Sequence, residues 1–99
     1  LTQKEVDDAP ASNPAYKRFF MHGIGHPLGL DVHDVGSRYG SFEAGMVFTV
    51  EPGIYIPAEG LGIRLENNIL ITDSGPQDLM ADIPLKAEAV EALMAAVRV

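Results

Sequence analysis

Between His22 and Gly36 the chain reads His-Gly-Ile-Gly-His-Pro-Leu-Gly-Leu-Asp-Val-His-Asp-Val-Gly, and no other stretch limits the fold so strongly. Glycines at 23, 25 and 29 and Pro27 forbid a stable helix, because each glycine costs about 1 kcal/mol against alanine in a helix interior and a proline about 3. Extended backbone and loop are therefore expected. On a helix, residues four apart such as His22 and His26 would share a face and could hold one ion, but on extended backbone they stand about 13 Å apart. They are not expected to chelate together. Spacing alone favours hydrogen-bonded loop histidines, although three His within twelve residues, His22, His26 and His33, call for a chemical hypothesis.

The rest of the chain predicts an α+β fold, with an antiparallel-rich sheet packed by helices. Met46-Val-Phe-Thr-Val50 is apolar at four of five positions and suits a strand buried on both faces, closed by Glu51-Pro52-Gly53. Ile54-Tyr55-Ile56 is a second short apolar run before a loop at 57–61. From Gly62 to Thr72 one strand is expected, with Ile63, Leu65, Ile69 and Ile71 on its buried face and Arg64, Glu66 and Asn68 on the other. Asp73-Ser74-Gly75-Pro76 reads as a turn. Asn13 and Pro14 read as the cap and first residue of a short helix that ends by Met21, with Tyr16, Phe19 and Phe20 on one face. Val90, Leu93, Met94 and Val97 give an amphipathic helix from about Lys86 to Val97. Residues 1–12 support only a weak helical turn at Thr2 to Asp8 and read as a cut end or linker.

Ninety-nine residues allow one small domain or a piece of a larger one. Fourteen acidic against seven basic side chains give a formal net charge of −7, which disfavours phosphate backbones and anionic lipid, so no nucleic-acid partner is expected. No apolar run approaches the roughly 18 residues of a membrane helix, and no membrane partner is expected. The absence of Cys removes thiol nucleophiles and cysteine metal sites, leaves His and carboxylates as the only transition-metal ligands, and fits a reducing, cytoplasmic setting.

Two carboxylates then stand out. Glu51 closes an apolar strand where a charge needs a partner, and a solvated strand end explains it as well as a ligand role does. Glu66 lies within a strand beside Arg64, where a cross-strand ion pair on a wet sheet face would be worth little. The combination of one His with two Glu, each attached to an apolar β segment, suits manganese, iron, cobalt or zinc.

Three motifs in order, His22-Gly-Ile-Gly-His26-Pro-Leu-Gly-Leu-Asp-Val-His33-Asp34, Val50-Glu51-Pro-Gly-Ile-Tyr55 and Gly62-Ile-Arg64-Leu-Glu66-Asn67, resemble the "pita-bread" metallopeptidases. The resemblance runs from about Asn13 to the final helix and is nearest to Xaa-Pro aminopeptidase (aminopeptidase P) and its sibling prolidase. Methionine aminopeptidases share the fold with less likeness around Glu51 and Glu66. By position the resemblance implies His26, Glu51 and Glu66 as metal ligands, with Glu51 also handling protons at the nucleophilic water and Glu66 bridging two ions. It implies His22 and His33 as pocket histidines that stabilise the tetrahedral intermediate or shuttle protons, and Arg64 as the arginine that orients a ligand aspartate. It further implies two divalent ions, Mn²⁺ first with Co²⁺ or Zn²⁺ as alternatives, a peptide substrate with proline at the second position, and a homo-oligomer. The family's two aspartate ligands have no counterpart here, since Asp7 and Asp8 lie in the wrong context. The chain thus resembles the C-terminal half of the catalytic domain. A non-catalytic pita-bread module that binds peptides is the rival reading, and retention of the three ligand positions favours the enzyme.

Overall fold

The structure, a computed structural model, describes residues 1–97 and is α+β. Its centre is one long antiparallel hairpin. Strand β1 (Val47–Val50) pairs with β4 (Asn67–Thr72), and β2 (Gly53–Ile56) pairs with β3 (Leu61–Arg64), across a turn of 3-10 helix at Pro57–Glu59. Val50 faces Asn67 in the first ladder and Gly53 faces Arg64 in the second. The two ladders therefore share one register, which sets Glu51 opposite Glu66 and Pro52 opposite Leu65. Pro52 has no N–H to offer the ladder, and only the Leu65 amide, donating to the Pro52 carbonyl at 3.2 Å, crosses the interruption.

The single strand expected from Gly62 to Thr72 is thus two strands, β3 and β4, in two sheets, parted at Leu65-Glu66. Its alternation survives, but its burial does not: Ile63 and Leu65 are exposed and Ile69 is half-buried. Likewise β1 is not buried on both faces, since Val50 is exposed and Thr49 is its one buried residue. A third strand, β5 (Gly75–Asp78), adds to the edge of β4 in the order β1-β4-β5. It begins inside the expected turn, which shortens to Asp73-Ser74 with Gly75 at φ 121°. Pro76 is tolerated there because an edge strand leaves one side of its backbone unpaired.

The glycine-rich stretch supplies a further extended segment on the free edge of β1. Pro27 bridges Phe48, the Leu28 amide donates to the Val47 carbonyl, the Thr49 amide to the His26 carbonyl, and the Glu51 amide to the Ile24 carbonyl. A Cβ at Gly25 would overlap the Thr49 carbonyl oxygen, so only glycine lets the two backbones come this close.

The helices are short. Residues Ala15–Arg18 form one turn of 3-10 helix, capped from Pro14 without a side-chain hydrogen bond, so Asn13 is not the cap expected. The final helix α2 (Ala87–Ala96) begins after Lys86 and stops at Val97, as its periodicity predicts, yet Val90, Leu93, Met94 and Val97 are all exposed. The first helix α1 (Gln3–Asp8) is firmer than its pattern promised. Thr2 Oγ1 accepts from the Glu5 amide at 3.3 Å while Glu5 Oε2 accepts from the Thr2 amide at 2.7 Å, a reciprocal capping box.

Those hydrogen bonds make α1 pH-sensitive. The Thr2 amide first, then the Thr2 hydroxyl and Arg18, push the Glu5 carboxyl down from 4.5 to about 2. A lowered folded-state value means that the ionised form stabilises the cap, fully above about 4.5, and that this contribution is lost as pH falls toward about 2. The helical Cα shifts of residues 3–8 are expected to hold from neutral pH to about 4.5 and to fade below it; shifts that persist unchanged to about pH 2 would contradict the cap.

No large apolar side chain is buried among the described residues. The Cα radius of gyration is 17.3 Å, against about 13 Å for a compact domain of 100 residues. Leu30, Val35 and Tyr39 in the loop after the glycine-rich stretch stand almost wholly exposed.

Candidate metal centre

The interruption of the hairpin is also where its carboxylates meet. Alternation along β1 and its continuation puts Thr49, Glu51, Gly53 and Tyr55 on one face; Gly62, Arg64, Glu66 and Asn68 stand opposite them. The extended segment at Ile24–Leu28 brings His26 to the same edge. His26, Glu51 and Glu66 consequently converge, with one ligand atom from each lying within 4.8 Å of the others, and all three are half-buried. These are the three positions that the resemblance marks for metal.

Their geometry fits a divalent cation. His26 Nδ1 donates to the Pro27 carbonyl at 2.8 Å, which fixes the ring and turns Nε2 toward Glu51 Oε2 at 3.4 Å. Two atoms about 2.1 Å from one ion at a tetrahedral angle would stand about 3.4 Å apart. Two carboxylates held this close repel one another, and of the pair only Glu66 has a fixed positive neighbour, Arg64 at 3.4 Å. One nitrogen and two carboxylates form a donor set for manganese, cobalt or zinc, and three side chains leave coordination positions unfilled.

The remaining marked residues surround this cluster without joining it. Arg64, half of its side chain exposed, lies on the cluster face through its contact with Glu66. His33 is exposed, with its ring 4.3 Å from that of His26. His22 makes no contact with the carboxylates: Nδ1 donates to the Gly23 carbonyl and Nε2 meets the Tyr55 hydroxyl, each at 2.7 Å. Phe20 and Tyr55 hold its ring edge-on at centroid distances of 4.9 and 5.4 Å.

Tyr55 is the site neighbour that the sequence reading missed, because Ile54-Tyr55-Ile56 reads simply as apolar. Two signals were available. Tyr55 lies four residues beyond Glu51, hence on its face of the strand, and glycines occupy both neighbouring positions of that face. A Cβ at Gly53 would come within 2.9 Å of the Tyr55 hydroxyl and one at Gly62 within 2.8 Å of its ring. The two glycines leave a slot in which the ring lies along the sheet and reaches His22.

The sequence profile of metallopeptidase family M24 matches residues 2–73. The chain is 48% identical to the Xaa-Pro aminopeptidase of Escherichia coli (strain K12) over 110 residues, covering 99% of this chain and 25% of the relative. Against mouse Xaa-Pro aminopeptidase 3 it is 40% identical over 88 residues, 78% of this chain and 17% of the relative. Zinc-substituted E. coli aminopeptidase P in complex with product superposes with a TM-score of 0.78 at 49% identity, covering 86% of this chain and 22% of that one. Proline aminopeptidase P II from Yersinia pestis gives 0.75 at 46% identity, over 83% and 22%. The chain spans about a quarter of the length of these curated Xaa-Pro aminopeptidases of E. coli and Haemophilus influenzae. The antiparallel hairpin and helices are thus a portion of the pita-bread fold seen in aminopeptidase P, and the chain belongs to metallopeptidase family M24.

Proposed function

We propose that this chain is the C-terminal portion of the catalytic domain of a metal-dependent Xaa-Pro aminopeptidase, whose complete form releases the N-terminal residue from peptides with proline second. The observation that carries the reading is the meeting of His26, Glu51 and Glu66 within 4.8 Å, from three separate segments, in a chain of this family. In the complete protein these three residues would help to hold a pair of divalent ions, Mn²⁺ first with Co²⁺ or Zn²⁺ as alternatives, with Glu66 as the carboxylate that would serve both. Two aspartates from outside this chain complete the ligand set, and Arg64 orients one of them. The expanded shape and the want of a buried apolar core among the described residues support the reading that further chain packs against this one. The complete protein is a cytoplasmic homo-oligomer in this proposal. Among the described residues no helix is long and apolar enough to cross a membrane.

When bound, a pair of divalent ions polarises the scissile carbonyl and lowers the pKa of water. The chain's own residues then divide the proton work. Glu51 Oε2 accepts the proton of the attacking water and delivers it to the proline nitrogen as the peptide bond breaks. The exposed ring of His33, beside His26, donates an N–H to the oxyanion of the tetrahedral intermediate. Both nitrogens of His22 are already engaged, so His22 meets the substrate only by exchanging its Tyr55 hydrogen bond for one to the peptide.

The test is cleavage by the complete protein, loaded with Mn²⁺, of an Xaa-Pro tripeptide and an Xaa-Pro dipeptide. Release of the first residue from the tripeptide is expected. Cleavage of the dipeptide alone would make the protein a prolidase, and peptide binding without cleavage would make it a binding module.

A further inference from the structure

Thr49 is the one buried side chain among the described residues, 3% exposed, and it is polar where every large apolar side chain described remains at least partly exposed. A valine has the same shape and would suit the interior of a strand better, so a hydroxyl at this depth requires partners. Its partners all belong to His26. Thr49 Oγ1 accepts from the His26 amide at 3.0 Å and its O–H reaches the His26 carbonyl at 3.5 Å, while the Thr49 amide donates to that same carbonyl at 2.9 Å. The side chain thus adds a clamp that the ladder lacks, because the His26 amide has no backbone acceptor among the hydrogen bonds of this edge.

The clamp lies at the centre of the metal cluster's supports. Gly25, just before His26, leaves room for the Thr49 carbonyl. Two residues beyond Thr49, the Glu51 amide donates to the Ile24 carbonyl at 2.7 Å, so the Thr49 contacts also fix how the Glu51 end of the strand meets the loop. The His26 ring is set by its own Nδ1 contact with Pro27, which fixes its rotation relative to the backbone; the backbone itself is fixed by Thr49.

We propose that Thr49 is a positioning residue of the metal centre: its hydroxyl holds the His26 backbone so that Nε2 faces Glu51 and Glu66. This rests on the metal-site reading above, and concerns a residue that neither touches substrate nor ligates. The closing experiment compares the complete protein as wild type, Thr49→Val and Thr49→Ser. Three readouts are needed: Co²⁺ titration followed by visible absorption, hydrogen exchange of the His26 amide without metal, and far-UV circular dichroism.

Thr49→Val is expected to keep its circular dichroism, to weaken Co²⁺ affinity about ten- to a hundredfold, and to speed exchange of the His26 amide at least about tenfold. Thr49→Ser, which keeps the oxygen and loses only a methyl, is expected to stay within about threefold of wild type in both. Wild-type Co²⁺ affinity in Thr49→Val would overturn the inference, as would a folded Thr49→Ser as impaired as the valine variant. Should Thr49→Val fail to fold, the serine variant decides: near-wild-type affinity and exchange support the hydroxyl, and loss overturns it. A wild-type protein that binds no Co²⁺ would instead overturn the metal-site reading itself.

Discussion

Glu66→Gln in the complete protein is expected to lower kcat more than about a hundredfold, with the fold intact. Glutamine keeps the volume of the side chain, and its amide oxygen can still accept from Arg64, whose nitrogen stands 3.4 Å from Glu66 Oε2. What disappears is a negative charge at the centre of the proposed metal cluster, and an amide bridges two cations far less well than a carboxylate. The stability cost is expected to be under about 1 kcal/mol, because the Arg64–Glu66 pair is open to solvent, 51% and 35% exposed, and such ion pairs are worth that little. Steady-state kinetics on the Xaa-Pro tripeptide, beside a thermal melt, separate the two effects. A variant within about tenfold of wild type in kcat would reject a bridging role for Glu66, and a fall in kcat matched by a large fall in melting temperature would reject the assignment of the loss to chemistry.

How much of this site the sequence disclosed depends on which force placed each residue. Alternation along residues 62–72 put Arg64 and Glu66 on one face, and the register of the hairpin agrees. The break between them was hidden because its cause lies on the partner strand: Pro52, opposite Leu65, withholds the N–H that would have continued the ladder. β5 was hidden for a related reason. Gly-Pro-Gln-Asp carries no strand pattern of its own and is extended because β4 offers an open edge, a tertiary effect that overrides local preference. The nearness of His26 to Glu51 could not be read from spacing at all, since it depends on a loop lying against β1 through Thr49 and Gly25. Motif order supplied it only by resemblance.

Burial is where the sequence misled. Met46–Val50, Ile63, Leu65 and the apolar stripe of α2 all carry the signature of core residues, and most of them are exposed here. The patterns mark apolar faces that remain uncovered among the described residues. The same mismatch explains why a chain with 46% hydrophobic residues reaches a radius of gyration of 17.3 Å.

From that mismatch comes the second large effect: the 99-residue chain by itself is expected to be inactive toward Xaa-Pro peptides and to hold no pair of divalent ions tightly. His26, Glu51 and Glu66 offer three side-chain ligands, too few to hold two cations in fixed geometry. Glu51 and Glu66 bring two carboxylates together across the hairpin, an arrangement that cations or further residues would balance. Nor does the fold resist their spreading, because among the described residues no large apolar side chain is buried. Ile54, Ile63 and Leu65, 63%, 59% and 48% exposed, form an open apolar face on the side of the hairpin away from the cluster. Such a face, together with the free edge of β5 in the other sheet, is expected to pair with other copies of the chain. Calorimetric titration with Mn²⁺ and Co²⁺, a peptide-cleavage assay and sedimentation of the purified chain test this together. The expected result is weak metal binding, no turnover and self-association. Tight binding of two ions per monomer, or turnover comparable to that of the complete protein, would show that these 99 residues finish the site alone and would sink the proposal that further chain completes it.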